Sequence, residues 1–87
     1  MIDVNFTGDG WDDYLYWQAQ DKKILRKINS LLASVQRNPY KGEGKPEPLK
    51  GENGKWSRRI NDKDRLVYSV ENDRLTVYQY RGHYEDK

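Results

Sequence analysis

The chain has no cysteine and a single histidine, His83, among its 87 residues. The lack of cysteine excludes disulfides, thiolate metal sites and a cysteine nucleophile. One histidine argues against a zinc site, because zinc usually takes several histidine or cysteine ligands. The composition therefore argues against a thiolate or zinc site, and we expect no cofactor.

Long apolar runs are also missing. No stretch approaches the ~20 apolar residues of a membrane span, and no apolar segment follows a basic N-terminus as in a signal peptide. We therefore expect a soluble, cytoplasmic protein without a membrane partner.

Hydrophobic and charged residues each make up 34% of the chain, so the core must be small. Three Trp, seven Tyr and one Phe, together with a net charge of only +2, argue against disorder. The length predicts one domain over residues 1–87.

Charge is unevenly distributed along the chain. Residues 1–21 hold five Asp and no Lys or Arg, whereas residues 37–65 hold nine basic and five acidic side chains. A basic region of this kind fits a phosphate-bearing or acidic partner. Ordinary solvation of surface charge explains it equally well.

The first half of the chain predicts a strand followed by two helices. Residues 2–6 alternate apolar and polar side chains, as in a strand, and "TGDG" follows as a break before a helix that begins near Trp11. Residues 22–37 carry an amphipathic stripe and end at "NP". We expect two antiparallel helices joined near residues 20–22. The stripe consists of Ile24, Ile28, Leu31, Leu32 and Val35.

The second half predicts a long connection and three strands. Residues 38–55 contain all three prolines and four of the seven glycines, and connections of this length are either functional or tolerated insertions. Strands follow at 56–60, 65–70 and 74–81, with a polar hairpin turn at 71–73. The order β-α-α-β-β-β predicts an α+β fold, with two helices packed on one antiparallel sheet.

Several arginines fall on the predicted strands. Arg58 and Arg59 are adjacent and must point to opposite sheet faces, while Arg65 begins one strand and Arg81 ends another. Two or three arginines on one face would clamp a phosphate through their planar forks of donors. The alternative is cross-strand pairing with nearby Asp62, Asp64 or Asp73.

Glu47 lies between two prolines in "KPEPLK", and a stiff segment of this kind presents a carboxylate rigidly, as a general base requires. An ordinary surface carboxylate is the alternative. His83 titrates near neutral pH and would serve as a general acid. A carboxylate base, an arginine clamp and a histidine acid together suit RNA transesterification, with the 2′-OH as nucleophile.

Six segments, in order along nearly the whole chain, resemble the YoeB toxins of the wider RelE-like family of bacterial toxin–antitoxin modules. The resemblance implies a RelE-like microbial RNase fold, with two helices on a twisted antiparallel sheet. It also implies metal-independent mRNA cleavage in the ribosomal A site, neutralisation by a YefM-type antitoxin and a homodimer. The segments are "WDDYLYWQ", "KINSLL", "GKPEPLK", "WSRRI", "RLVYSV" and "HY".

Carried onto this chain, the resemblance implies a role for each matched residue. Glu47 becomes the general base, His83 the general acid and Arg65 the group nearest the scissile phosphate. A second set binds RNA or its phosphates, and consists of Lys50, Arg59 and Tyr84.

Two features depart from the family pattern or modify it. The family sequences end at the Tyr of "HY", whereas this chain continues as "EDK", and a glycine at position 82 predicts a mobile tail. Two other functions stay open at this point. One is a non-catalytic inhibitor that binds the ribosome through the basic region, and the other is a plain RNA-binding module.

Overall fold

A computed structural model describes residues 2–51 and 54–82 of the chain. Two helices and five strands follow one another along this part of the chain. In these described ranges, no helix has the length and apolar character that crossing a bilayer requires. The elements are β1 (Asp3–Phe6), α1 (Gly8–Gln20), α2 (Lys22–Arg37), β2 (Glu47–Pro48), β3 (Lys55–Arg59), β4 (Arg65–Glu71) and β5 (Arg74–Gln79).

The strands form one sheet in the order β1-β5-β4-β3-β2. Strands β2 to β5 are antiparallel, as the sequence predicts, but β1 lies parallel to β5, so the sheet is mixed. An alternating pattern predicts a strand but not its partner. The two helices that follow carry the chain from β1 at one edge of the sheet to β2 at the other. The short strand β2, paired with β3, lies inside the segment that the sequence predicts as a plain connection.

Local side-chain caps fix where the helices begin. The Thr7 hydroxyl accepts a hydrogen bond from the Gly10 amide at 3.0 Å, so α1 begins before Trp11. Gly10 is buried against β5, where an added Cβ would lie 2.4 Å from the Val77 carbonyl oxygen. One residue, Asp21, separates the helices and caps the start of α2, as expected for a junction near residues 20–22.

The core lies between α2 and one face of the sheet. Ile28, Leu31 and Val35 of the predicted stripe are fully buried, while Ile24 and Leu32 are half-buried at its border. These side chains pack with a buried set from the sheet and the segments that follow β3 and β5, which consists of Ile60, Leu66, Tyr68, Leu75, Val77 and Tyr80.

Two irregularities set the register of β4 and β5. Asn72 and Asp73 both have positive φ, 53° and 62°, as a two-residue type I′ turn requires. Further along, the register shifts between Val67 and Tyr68, which pair with Gln79 and Val77. The residue between these two partners on β5 is left over, which is the pattern of a β-bulge.

Candidate functional site

The face of the sheet opposite the helices carries most of the strand-borne polar residues. Alternation along β4 sends Leu66 and Tyr68 into the core and Arg65 and Val67 to this opposite face. We call it the open face. One row across it, contributed by β2 to β5, consists of Glu47, Ser57, Val67 and Gln79. Ser57 and Val67 in the middle of this row are buried, whereas Glu47 is exposed and Gln79 is half-buried.

Arg59 and Arg65 form the next row of the open face. They are direct partners in the β3–β4 register, so their side chains leave the sheet on the same side. Arg59 is exposed and Arg65 is half-buried. The structure therefore brings together two of the arginines for which the sequence predicts phosphate binding.

The turn before β4 orients the Arg65 side chain. Its Nη1 atom donates to the backbone carbonyl oxygens of Asn61 at 2.6 Å and Asp64 at 3.1 Å. The Asn61 side chain in turn accepts the Lys63 and Asp64 amides at 2.8 and 2.7 Å. One side of the guanidinium is thus held by fixed carbonyls.

Glu47 is exposed on β2, opposite Ser57 of β3. From regular sheet spacing, its Cα lies about 8 Å from that of Arg59 and about 12 Å from that of Arg65. A carboxylate and two guanidinium groups at this separation can surround one phosphodiester. The predicted base and the two predicted phosphate ligands therefore share one surface.

The structure does not add the other three residues with sequence-predicted roles to this arrangement, since only Lys50 among them is described. Lys50 is exposed in the turn between β2 and β3, and no contact places its ammonium group on the open face. His83 and Tyr84 lie outside the described residues, as does the "EDK" tail.

The glycine before His83 is hydrogen-bonded through both of its backbone groups, while the tail that was expected to be mobile lies outside the described residues. The Gly82 amide donates to the Asp64 carboxylate at 2.7 Å, and its carbonyl accepts from the Arg65 amide at 3.1 Å. Its φ of +78° is in the region that favours glycine. A glycine therefore permits the turn that the backbone makes at this position.

Arg58 has a structural role that the sequence analysis missed. Its side chain is fully buried and donates five hydrogen bonds, mostly to carbonyls of the connection after α2. The alternation Trp56-x-Arg58-x-Ile60, with apolar residues on both sides of the arginine, would have placed it on the core face. Its acceptors are Tyr68 Oη, Ser34 Oγ and the carbonyl oxygens of Asn38, Lys41 and Glu43.

Arg81, the arginine after β5, does not take part in the predicted phosphate clamp. The Arg81 guanidinium lies 3.6 Å above the ring of Tyr16 on α1. Within residues 2–51 and 54–82, no cluster of three or more acidic or histidine side chains could hold a metal ion.

Comparison with known proteins shows which family this geometry belongs to. Residues 6–84 match the YoeB-like toxin of bacterial type II toxin–antitoxin systems. "Toxin YoeB" of Streptomyces coelicolor is 51% identical over 82 residues, covering 93% of this chain and 98% of that protein.

Solved structures agree with this match. A YoeB dimer from Staphylococcus aureus has a TM-score of 0.90 at 42% identity, over 95% of this chain and 98% of that one. A heterotetrameric YoeB–YefM toxin–antitoxin complex from the same organism has a TM-score of 0.85 at 42% identity, over 97% and 99%. Because both sequence and fold agree over nearly the full length, this chain belongs to the YoeB-like toxins of bacterial type II toxin–antitoxin systems.

Proposed function

We propose that the chain is a ribosome-dependent endoribonuclease that cleaves mRNA in the A site and so inhibits translation. The observation that carries the proposal is the shared open face, on which Glu47 lies beside the opposed pair Arg59 and Arg65. Attack by the 2′-oxygen in line with the leaving 5′-oxygen requires the RNA to be held in a bent, reactive conformation. A ribosome that holds the codon in place would supply that presentation.

In the proposed reaction, Glu47 removes the proton of a ribose 2′-OH. The 2′-oxygen attacks the adjacent phosphorus, and the bond from phosphorus to the 5′-oxygen breaks. His83, outside the described residues, donates a proton to the departing 5′-oxygen. The products are a 2′,3′-cyclic phosphate and a 5′-OH, and the nucleophile comes from the RNA, so no metal is needed.

The arginines stabilise the charge that develops on phosphorus. Arg65 is held by the Asn61 and Asp64 carbonyls, so part of its orientation is established before RNA binds. Arg59 is exposed and supplies a second fork of donors from the neighbouring strand. Lys50 adds a further phosphate contact, and Tyr84 stacks on a base.

The proposed partners are the 70S ribosome with its mRNA and a YefM-like antitoxin, and the proposed assembly is a homodimer. The S. aureus relatives support the last two, since one forms a complex with YefM and one is a dimer. Action on translating ribosomes places the protein in the cytoplasm.

The decisive experiment is primer extension on a translated message with purified ribosomes. The wild-type protein should produce discrete breaks within codons, whereas Glu47→Gln and His83→Gln should reduce the cleavage rate on the order of 100-fold or more. Circular dichroism would verify that both variants remain folded.

Two results would contradict the proposal. Full cleavage by both variants would exclude these residues as base and acid. Translation arrest by the wild-type protein without any break in the message would instead support the non-catalytic inhibitor.

A further inference from the structure

The chain segment that leads to His83 is anchored at three successive residues. The Tyr80 amide donates to Asp13 Oδ2 at 2.9 Å, and its carbonyl accepts from Trp17 Nε1 at 3.0 Å. Arg81 then stacks on Tyr16. Helix α1 thus directs the chain out of β5 toward the turn before β4.

The last of the three, Gly82, is held differently. Its amide donates to the Asp64 carboxylate at 2.7 Å, and its carbonyl accepts the Arg65 amide at 3.1 Å. The adjacent residues Asp64 and Arg65 therefore hydrogen-bond to the amide and the carbonyl of Gly82. One of the two, Arg65, is a proposed phosphate ligand.

Asp64 is itself rigidly placed. Its amide donates to Asn61 Oδ1 at 2.7 Å, and its carbonyl oxygen accepts from the Ile60 amide and from Arg65 Nη1, each at 3.1 Å. The carboxylate of Asp64 therefore projects from a turn whose backbone is closed by hydrogen bonds. The carbonyl oxygen of the same residue helps to orient the Arg65 guanidinium.

We propose that Asp64 is a positioning residue, whose carboxylate fixes Gly82, the residue before His83, beside the proposed phosphate ligand Arg65. The proposal rests on the proposed ribonuclease function. Asp64 touches neither RNA nor the reacting atoms. It acts through the peptide that joins Gly82 to His83.

The Asp64–Gly82 contact would affect catalysis because a general acid must be correctly oriented. A general acid must lie within hydrogen-bond reach of the leaving oxygen, and a misplacement of about 1 Å can cost about 100-fold in rate. Gly82 is exposed, so without the carboxylate its amide would bond to water at little cost in stability. Loss of the contact should therefore affect the rate of cleavage more than folding.

The test compares Asp64→Ala with Asp64→Asn, and uses Asp62→Ala as the matched control. Asn keeps an oxygen that can accept the Gly82 amide, whereas Ala does not. Asp62 is an exposed carboxylate two positions away. Single-turnover cleavage on programmed ribosomes would give the rate at saturation and the half-saturating toxin concentration separately.

We expect Asp64→Ala to lower the saturating rate on the order of 10- to 100-fold while half-saturation changes less than about 3-fold. Asp64→Asn should recover most of the rate, and Asp62→Ala should match wild type. Amide hydrogen exchange at Gly82, measured by NMR, should be slow in wild type and Asp64→Asn and fast in Asp64→Ala.

The proposal is overturned if Asp64→Ala cleaves at the wild-type rate, or if Gly82 exchange is unchanged in that variant. It is also overturned if Asp64→Asn is as slow as Asp64→Ala, since charge and not positioning would then matter. His83→Gln, assayed in parallel, distinguishes failure of the positioning role from failure of the proposed catalytic mechanism. If it is inactive while Asp64→Ala is not, only the positioning role fails; if it is fully active, the proposed mechanism fails.

Discussion

Arg59 and Arg65 oppose each other directly across β3 and β4, which puts two positive side chains on one side of the sheet. Like charges at directly opposed positions destabilise a sheet. An anion bound between the two guanidinium groups would offset this repulsion. Under the proposed function, the arrangement exchanges some stability for phosphate binding.

The first prediction follows from this exchange. Arg59→Gln should raise the free energy of unfolding by about 0.2–1 kcal/mol, because the repulsion is relieved, and should weaken RNA cleavage about 10-fold or more, because a charged phosphate ligand is lost. Urea unfolding and the primer-extension rate measure the two effects. Arg26→Gln, at an exposed site on α2, is the control and should change neither. A loss of stability in Arg59→Gln would show that the pair is not repulsive in the free protein.

The second prediction concerns Arg58 as the anchor of the connection that leads to β2. Arg58→Gln cannot supply five donors, so several buried carbonyls lose their partners and the free energy of unfolding should fall by about 3 kcal/mol or more. That is a large part of the ~5–10 kcal/mol expected for a domain of this size. Thermal unfolding would measure it. A loss below about 1 kcal/mol would mean that water replaces the guanidinium without difficulty.

The third prediction contrasts two buried tyrosines. The Tyr68 hydroxyl accepts from Arg58 Nε at 3.1 Å and donates to the Pro39 carbonyl, so Tyr68→Phe should cost about 1–3 kcal/mol. The Tyr80 hydroxyl is buried with no hydrogen-bond partner among the described residues, and its burial raises the pKa of the phenol. Tyr80→Phe should be neutral or should stabilise by up to about 1 kcal/mol. Equal losses in the two variants, in paired urea titrations, would contradict this.

The fourth prediction concerns acid stability. Hydrogen bonds from Lys27 Nζ at 2.9 Å and Ser30 Oγ at 2.6 Å hold the pKa of the Glu43 carboxyl below its usual 4.5. A lowered folded-state pKa means that this carboxylate stabilises the fold above about pH 5, and that the contribution is lost as the pH falls below 4.5 through the folded-state pKa.

Glu43→Gln should therefore be less stable than wild type at pH 7, by about 0.5–1 kcal/mol for a partly exposed pair, and should approach it at pH 3. Lys27→Met should show the same loss of pH dependence. A constant gap between Glu43→Gln and wild type across this range, in urea unfolding at each pH, would rule out the ionised pair as its cause.

Much of the fold follows from local pattern. The helical stripe from Ile24 to Val35, the helix junction at Asp21 and the hairpin at Asn72–Asp73 are all confirmed by the structure. Each depends on neighbours within a few positions of the chain. The parallel pairing of β1 was missed because its partner, β5, is distant in sequence and leaves no periodic trace. The strand at Glu47 was missed because two residues are too few to show a period.

The candidate site likewise has features that local sequence pattern predicts and features that depend on contacts distant in sequence. Sequence by itself determined that Arg58 and Arg59 face opposite ways, since side chains alternate along any strand, and it identified Glu47, Arg59 and Arg65 as residues of the right chemistry. Only the tertiary structure decided which arginine is buried as a structural anchor and which lies on the open face. It also placed Gly82 against Asp64 and Arg65, which belong to a turn distant in sequence and so could not be predicted from local pattern.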